Sequence, residues 1–402
     1  MKNYNMITPE GTKDLLFEDC LAHRYVERTL TSVFSSRGFN EVVTPGLEFY
    51  DVFDPDFSGI AQEIMYKMSD RHGRLVVMRP DSTIPIARMT ATRLQKQQKP
   101  IRLYYVQQIY RSNPGLTGRR NEMMQTGIEL LGAAGRRADL EVIVTAVEAL
   151  SKCVPNFRLE LGHAGFFRAL TAQLPISDDL REDIRSSIES KNYAALNTIL
   201  DTLEDSRQVD AVRRLPRLFG GEEVFAQAEP LCEDEESSAT LAYLHELYQS
   251  LVELGLGDRM IVDLGLVQRN DYYTGIIFSA YMENIGDAIL LGGRYDKLSE
   301  QFGSPMPAVG FAVNVDALAE LLLKQGRIQP PKAVDILVHS DSGYEIKALQ
   351  YASQLAGSGY KCESSVFTTR EEALAYARAQ GIRRVDFVNG SVETMNGIGE
   401  KV

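Results

Sequence analysis

The apolar positions of the chain form two kinds of run, which together predict a sheet-based domain interrupted by helices. Short runs of strand character end at glycine, proline or polar residues, whereas longer stretches repeat their apolar residues at helical spacing. The predicted strands of the first part are 39–44, 74–78, 103–110, 123–131, 157–161, 262–267, 276–278, 289–291 and 308–315. Helices at 21–34 and 139–150 should pack on this sheet. The pattern therefore predicts an α+β fold.

Helical spacing dominates residues 165–257, which lie between two strands of the predicted sheet. One apolar stripe there is formed by Leu180, Ile184 and Ile188. We interpret this block, about 165–257, as a helical insertion within a core domain of residues 1–325. After Pro330-Pro331, residues 333–402 alternate as β-α-β-α-β, which predicts a second, small α/β domain.

Composition limits the classes of function open to the chain. Its 402 residues are 44% hydrophobic, which is enough for two or three domains with substantial cores. A net charge of −12 argues against a protein that mainly grips nucleic acid, because binding phosphates requires a basic face. The four cysteines are far apart and the five histidines form no metal-binding pair, so we expect neither disulfides nor a metal site. With no apolar leader and no membrane-spanning run, a cytoplasmic protein is expected.

Polar residues interrupt several apolar strands and form the candidate site. They are Asp81, Thr83, Arg111, Gln125, Glu129, Tyr272 and Tyr273. Because buried polar groups are costly unless they are paired, several such strands in one sheet predict a polar cleft. Gln125, Gly127 and Glu129 alternate along one strand and should face the same side. Any single one of these residues is equally well explained by an internal hydrogen bond or a place at the sheet rim.

Residues 262–278, together with the run that ends in Gly292-Gly293, hold the most unusual local pattern. Adjacent tyrosines in a strand point to opposite faces, so Tyr272 and Tyr273 are expected to divide between the core and a cleft. The two glycines predict a bend or a close approach of the backbone to another group. On local pattern alone, a buried antiparallel sheet with a tight turn explains the region.

Several segments match a known pattern in the same order along the chain. They are 9–14, 38–45, 79–83, 110–129, 271–275, 292–296 and 309–313, with Gln-Thr-Gly-Ile-Glu at 125–129 and Asp-Tyr-Tyr-Thr-Gly at 271–275. This set resembles histidyl-tRNA synthetase, a class II aminoacyl-tRNA synthetase, over nearly the whole chain. The resemblance implies a mostly antiparallel sheet flanked by helices, a helical insertion, a C-terminal domain like a shortened anticodon-binding domain, and dimers.

Departures from the synthetase pattern fall at positions that handle ATP in that family. Gln268 replaces an arginine that assists carboxylate activation, and Ala317 replaces the arginine that clamps the γ-phosphate. Asn113 stands where the second motif has glutamate, and Met123 where an aromatic ring stacks on adenine. Because adenylation depends on fixed cations around the phosphates, we expect no synthetase activity, no catalytic residue and no cofactor.

Residues that hold histidine in the synthetases are largely present. By resemblance, Asp81 and Thr83 would meet its α-amino group with help from Gln125. Glu129 and Tyr272-Tyr273 would lie near its imidazole ring, where a carboxylate and phenols suit a donor–acceptor ring. Retained amino-acid contacts with lost nucleotide contacts are similar to the regulatory subunits of ATP phosphoribosyltransferase, which are paralogues of the synthetase.

This second resemblance implies a function and a set of partners. The chain would join the short catalytic subunit of ATP phosphoribosyltransferase as a homodimer within a hetero-oligomer, at the start of histidine biosynthesis. Free histidine would be its effector, and neither tRNA nor a membrane would be bound. Two alternatives remain open at this point: a divergent but active histidyl-tRNA synthetase, and a purely structural activating partner that binds no histidine.

Overall fold

The computed structural model describes residues 4–54, 58–113, 120–267, 272–283 and 285–397. The chain divides into two compact units, Met1–Ile328 and Gln329–Val402. The strands of the first unit are β1 (Asn40–Glu41), β2 (Leu47–Phe49), β3 (Lys67–Ser69), β4 (Leu75–Met78), β5 (Ile101–Tyr110), β6 (Glu122–Leu131), β7 (Arg158–His163), β8 (Phe219–Gly220), β9 (Met260–Asp263), β10 (Ile276–Tyr281), β11 (Leu290–Arg294) and β12 (Ala308–Asn314).

A nine-stranded mixed sheet forms the centre of the first unit. Its strand order is β1-β5-β6-β12-β11-β10-β7-β9-β8. The six strands from β5 to β7 in this order pair antiparallel, whereas β1 runs parallel to β5 and β9 runs parallel to β7. The predicted mostly antiparallel sheet is therefore confirmed.

Helices of the first unit surround this sheet. They are α1 (Glu18–Ser36), α2 (Thr83–Arg93), α3 (Arg136–Cys153), α4 (Ala164–Ala172), α5 (Asp178–Glu189), α6 (Tyr193–Leu200), α7 (Arg207–Arg214), α8 (Glu223–Ala228), α9 (Glu235–Glu253) and α10 (Val315–Lys324). Short 3-10 turns lie at Tyr4–Met6, Tyr50–Phe53, Gln62–Ile64, Leu215–Arg217, Glu229–Leu231, Gly257–Arg259 and Leu298–Phe302. Helices α4 to α9 follow β7 and precede β9, so the insertion interrupts the sheet in sequence. Side chains of Ser177, Asn192, Ser206 and Asp234 cap four of these helices.

The two faces of the large sheet bury different sets of residues. Ile128 and Leu130 of β6 join Val33 and Phe34 of α1 in the core beneath the helices. Since side chains alternate along a strand, the intervening Glu129 points to the opposite face. The expected alignment of Gln125, Gly127 and Glu129 on one side is thereby confirmed.

One row of directly paired residues crosses this opposite face. Leu103, Glu129, Gly310, Gly293 and Ile277 stand side by side on β5, β6, β12, β11 and β10. Directly opposed residues of antiparallel strands lie on the same face, about 5 Å apart. The row thus places one acidic side chain beside two glycines, which leaves space above the sheet.

A separate three-stranded antiparallel sheet, in the order β2-β4-β3, precedes α2. Its hairpin turns at Asp70–Gly73. The Asp70 carboxylate accepts from the backbone N–H groups of His72 and Arg74 at 2.8 and 2.9 Å, and Gly73 adopts a left-handed φ of +78°.

The second unit is a small α/β sheet covered on both faces. Its elements are β13 (Ile336–Ser340), α11 (Glu345–Gly357), β14 (Cys362–Ser364), α12 (Arg370–Ala379), β15 (Arg384–Val388) and β16 (Val392–Asn396). The order is β14-β13-β15-β16, with the first three strands parallel. The predicted β-α-β-α-β order is present, and β16 adds an antiparallel edge that the sequence pattern did not predict.

Candidate ligand-binding site

Glu129 lies at the centre of the candidate site, in the second half of β6. Its side chain is 1% exposed, and its carboxylate accepts hydrogen bonds from the Thr83 hydroxyl at 2.7 Å and from the Tyr295 hydroxyl. Thr83 is the first residue of α2, and Tyr295 directly follows β11. Three elements distant in sequence therefore converge on one buried carboxyl group. Both donors are neutral hydroxyls, so neither balances a charge on Glu129.

Glycines on neighbouring strands make room for these side chains. Gly310 is paired with Glu129, and a Cβ atom there would overlap the carboxylate. A Cβ on Gly293 would lie 2.6 Å from the Tyr273 ring, and one on Gly127 would lie 2.6 Å from the Tyr105 hydroxyl. The close approach predicted at Gly292-Gly293 is confirmed, since the backbone there meets aromatic rings.

Burial raises the pKa of Glu129 to about 8, and the hydrogen bonds from Tyr295 and Thr83 offset only part of this effect. The charge of Asp81 raises the pKa further. Asp81 is itself 6% exposed, and burial raises its pKa while Arg111 opposes the shift. At neutral pH the Glu129 carboxyl is therefore mostly protonated in the ligand-free protein, and it can give up a proton over an accessible pH range.

Asp81, just before α2, and Gln125, on β6, lie beside this carboxyl. The Oδ1 atom of Asp81 accepts from the backbone N–H of Ile84 at 2.9 Å, so this carboxylate pairs with a backbone donor in the first turn of α2. Ser82, at the N-cap position, donates to Oε1 of Gln125 at 3.4 Å. The helix start thus links two of the expected site residues.

Arginines at the edge of the site are already engaged with protein groups. Arg111 donates from Nε to the carbonyl of Pro80 at 2.7 Å, and its Nη2 lies 3.9 Å from Oδ2 of Asp81. Arg120 forms an ion pair with Asp316 of α10 at 2.7 Å. Because each guanidinium faces a carboxylate, neither is an uncompensated cation of the kind that a polyphosphate recruits.

Tyr272 and Tyr273 both belong to the buried cluster on the Glu129 face, which corrects the expectation that they divide between two faces. Their ring centroids are 4.8 Å apart, and Tyr272 meets Tyr295 edge-on at 5.8 Å. The expectation was wrong because β10 begins only at Ile276, so the alternation of a strand does not apply to the tyrosine pair. Arg168 of α4 anchors this segment by donating to the Tyr273 carbonyl at 2.9 Å.

The structure describes some, but not all, of the positions that depart from the synthetase pattern. Gln268 lies outside the described residues. Ala317 lies in the first turn of α10, where its backbone N–H donates to the side chain of Asn314 at 3.1 Å. Its methyl group supplies no charge at this helix start. Met123 is half-buried on β6, two residues before Gln125 on the same face.

The sequence pattern did not identify two tyrosines of the site, Tyr295 and Tyr105. Tyr295 lies two residues beyond Gly293. Its N–H still donates to the Ala308 carbonyl of β12 at 2.8 Å, so the period of two along β11 extends to it and identifies it as a residue of the same face. Tyr105 is paired with Gly127 on the neighbouring strand. That pairing depends on the register of two strands, and no local signal in the sequence reveals it.

A buried ion pair beneath the sheet fixes the residue before Tyr295. Arg294 donates to Oδ1 of Asp139 from Nε at 2.9 Å and from Nη2 at 2.5 Å, and Asp139 is fully buried. The second oxygen of Asp139 accepts from the hydroxyl of Tyr243, on α9, at 2.5 Å. Because a broken buried ion pair is costly, this arrangement holds the end of β11, and with it Tyr295, in one position.

Other kinds of site find no support in the part of the chain that the structure describes. No group of three or more His, Cys, Asp or Glu side chains there is placed to hold a metal ion. The helices of the described ranges are too short or too polar to cross a membrane. A cavity of about 710 Å³ opens beside α7, far in sequence from Glu129, but Arg213 on its wall is already paired with Asp201 at 2.9 Å.

The antiparallel sheet flanked by helices, with polar residues buried on one of its faces, is typical of a class II synthetase-like protein. Residues 11–318 match the family model of histidyl-tRNA synthetase. The ATP phosphoribosyltransferase regulatory subunit of Clostridium botulinum is 39% identical over 394 residues, covering 97% of this chain and 93% of that protein. The corresponding subunit of Bacillus mycoides is 38% identical over 389 residues, covering 96% and 92%.

A solved structure agrees with these relatives. The crystal structure of an ATP phosphoribosyltransferase regulatory subunit/histidyl-tRNA synthetase from Bacillus halodurans has a TM-score of 0.84 at 27% identity, covering 97% of this chain and all of that one. The chain belongs to the histidyl-tRNA synthetase family and, within it, to the ATP phosphoribosyltransferase regulatory subunits. The class II synthetase-like fold expected from the sequence is confirmed.

Proposed function

We propose that this chain is the non-catalytic regulatory subunit of an ATP phosphoribosyltransferase, and that its Glu129 pocket binds free histidine as a feedback effector. It acts with the short catalytic subunit in the first step of L-histidine biosynthesis, in the cytoplasm. The names of its relatives support the first part of the proposal. The observation that carries the second part is the buried Glu129 carboxyl, bonded to Thr83 and Tyr295 and enclosed by aromatic rings.

Histidine suits this pocket on chemical grounds. A neutral imidazole ring presents one N–H donor and one acceptor nitrogen, and Glu129 can meet either because its carboxyl can gain or lose a proton near neutral pH. Tyr272 and Tyr273 supply flat apolar walls for the ring. Asp81 and Thr83 at the start of α2, Gln125 on β6 and Arg111 just after β5 would receive the amino-acid end of the ligand.

The lack of free cations at the described positions that bind ATP phosphates in the synthetases supports a non-catalytic role. Ala317 brings no cation to the start of α10, and Arg111 and Arg120 are each turned toward a carboxylate. Transfer of an adenylyl group requires fixed cations at the phosphates, and losing one such contact commonly costs about 10²-fold or more in rate. The runner-up, a divergent histidyl-tRNA synthetase, predicts histidine-dependent exchange of pyrophosphate into ATP, and we expect none.

Surface charge supports the absence of tRNA from the partners. Residues 165–257 contain eighteen Asp and Glu against eight Lys and Arg, a net charge of −10 within the −12 of the whole chain. Residues 333–402 contain nine acidic against seven basic residues, a net of −2. Both segments would repel a phosphate backbone rather than attract it.

Exposed apolar side chains support a homodimer within the hetero-oligomer. On α1, Leu21 is 40% exposed and Tyr25 is 43% exposed, although the opposite side of the helix is fully buried in the core. Leu47 and Phe49 of β2 are also exposed. Leu21 and Tyr25 are one helical turn apart, and neighbouring exposed apolar residues commonly mark protein interfaces. The mass of the purified chain, measured by light scattering, tests this part of the proposal.

Co-expression with a short-form catalytic subunit tests the proposed function directly. We expect a stable complex that makes phosphoribosyl-ATP, with activity that falls when histidine is added. Feedback of this kind requires histidine to bind two arrangements of the complex unequally. No complex at micromolar concentrations would contradict the proposal. An active complex that ignores histidine would instead favour the purely structural partner.

Calorimetry with free histidine tests the pocket separately. Wild-type protein should bind, whereas Glu129→Ala should lose most of its affinity because a buried donor–acceptor partner is removed. Glu63→Ala, at an exposed position, is the matched control and should bind like wild type. Equal binding by wild type and Glu129→Ala would place the effector site elsewhere.

A further inference from the structure

A chain of buried polar contacts joins the helical insertion to the Glu129 pocket. On α9 of the insertion, the Tyr243 hydroxyl donates to Oδ2 of Asp139 at 2.5 Å. The other oxygen of Asp139 accepts from Nε and Nη2 of Arg294 at 2.9 and 2.5 Å. Arg294 ends β11, and the next residue, Tyr295, donates its hydroxyl proton to Glu129. Three side chains therefore connect an insertion helix to the residue that contacts the central carboxyl group.

Tyr243 completes the hydrogen bonding of a carboxylate that is fully buried. Burial raises the pKa of Asp139, whereas the hydrogen bonds from Arg294 and Tyr243 lower it. Because Arg294 occupies one oxygen, removal of the Tyr243 hydroxyl would take a donor from the other. Burial and the neighbouring Asp139 raise the pKa of Tyr243, so its hydroxyl stays a protonated donor. A hydrogen bond to a carboxylate is among the stronger ones in a folded protein.

A second contact of the insertion reaches the same corner of the pocket. Arg168 of α4 donates to the carbonyls of Tyr273 and Thr274 at 2.9 and 3.3 Å. The Thr274 N–H in turn donates to the Arg294 carbonyl at 2.7 Å. The insertion therefore holds both segments that supply tyrosines to the pocket, and a backbone hydrogen bond joins these segments.

We propose that Tyr243 is a positioning residue for the ligand pocket. Through Asp139 it fixes Arg294 at the end of β11, which places the Tyr295 hydroxyl against the central carboxyl. This inference rests on the proposed function and deepens it, because it names the part of the chain on which the geometry of the pocket depends. A pocket that is ordered before the ligand arrives loses less conformational entropy on binding, so a looser Tyr295 weakens the affinity for histidine. By thermodynamic linkage, bound histidine stabilises the contact of α9 with Asp139 to the same extent.

The substitution Tyr243→Phe removes the hydroxyl and keeps the ring, which meets His163 edge-on at 6.0 Å. Histidine affinity of the full chain, measured by calorimetry, should fall roughly fivefold, in line with the net contribution of one hydrogen bond. Tyr248→Phe is the matched control, because Tyr248 is a buried residue of the same helix that packs its ring against Phe225 instead. The control should bind histidine as wild type does.

A double-mutant cycle distinguishes positioning from a general loss of stability. If Tyr243 acts through Tyr295, its substitution should matter little once the Tyr295 hydroxyl is gone. Tyr243→Phe should therefore change histidine affinity by less than about twofold in a Tyr295→Phe background. A tyrosine that only stabilises the fold would lower the melting temperature when altered and leave the histidine affinity of the folded protein unchanged. An equal loss of affinity in both backgrounds would overturn the route through Tyr295.

Hydrogen exchange of the wild-type chain provides a test that needs no variant. Saturating histidine should slow amide exchange in α9 roughly fivefold, the reciprocal of the effect on affinity. Helix α6 of the same insertion, which packs on α5 and α7, should change less. Unchanged exchange in α9, or equal histidine affinity of wild type and Tyr243→Phe, would overturn the coupling and leave the proposed function standing. If wild type binds no histidine, the effector pocket itself is refuted, and the role of Tyr243 falls with it.

Discussion

Glu129→Gln is expected to stabilise the ligand-free protein, and increasingly so as the pH rises. Burial raises the pKa of this carboxyl from 4.5 to about 8 in the folded protein. Below about pH 4.5 the Glu129 carboxyl is protonated in both the folded and the unfolded state, so it does not change the free energy of unfolding. As the pH rises to about 8, the unfolded chain ionises while the folded one stays protonated, and stability falls by about 1.4 kcal/mol per pH unit. The accumulated loss is at most about 5 kcal/mol.

Urea-induced unfolding at a series of pH values from about 5 to about 9 measures this effect. Circular dichroism is the suitable signal because the chain contains no tryptophan. The glutamine amide does not titrate, so the difference in unfolding free energy between variant and wild type should grow with pH and level off above about pH 8. The exposed control Glu63→Gln should follow wild type throughout. Parallel curves for Glu129→Gln and wild type would refute the reasoning, because Glu129 would then ionise as freely in the folded protein as in the unfolded chain.

Two further substitutions test the support of the pocket. Gly310→Ala places a methyl group onto the Glu129 carboxylate, so it should destabilise the protein by about 1–3 kcal/mol and abolish histidine binding. Gly46→Ala is the control, because open space surrounds that position, and it should have neither effect. Similar melting temperatures for the two alanine variants would contradict the packing argument. Asp139→Asn removes the buried carboxylate that pairs with Arg294, leaving only the exposed Asp296 beside it, and should cost about 3–5 kcal/mol in chemical unfolding. Asp296→Asn, whose side chain is 39% exposed, should cost less than about 1 kcal/mol, and equal losses would argue against a special role for the buried pair.

Much of the architecture is predictable because it rests on local periodicity. The alternation of Gln125, Gly127 and Glu129 with apolar residues identifies one strand and its polar face, and the structure agrees. The hairpin at Asp70–Gly73 follows from turn chemistry. Local pattern fails at Tyr272 and Tyr273, because a chain just before a strand need not follow the alternation of that strand. The sequence pattern did not predict the edge strand β16 either, because its pairing with β15 depends on tertiary packing.

The candidate site shows the same division between local and distant causes. Sequence motifs were enough to single out Asp81, Thr83 and Glu129 and to indicate that Ala317 has no cation to offer a phosphate. They could not reveal that Thr83 and Tyr295 bond the same carboxyl, or that Tyr105 lies across Gly127. Those relations depend on strand register, which joins residues far apart in the chain.

By itself, the sequence determined the family, the strands and helices, and which polar residues interrupt the apolar strands, because these depend on residue identity and local spacing. Only the tertiary structure decided the chemistry of those residues. Glu129 is an ordinary carboxylate until the sheet closes over it, and removal from water then raises its pKa to about 8. Tyr105 is an ordinary strand residue until packing buries its hydroxyl, and burial then raises its pKa well above the usual value. Both changes come from desolvation, a property of the folded surroundings that no single residue carries.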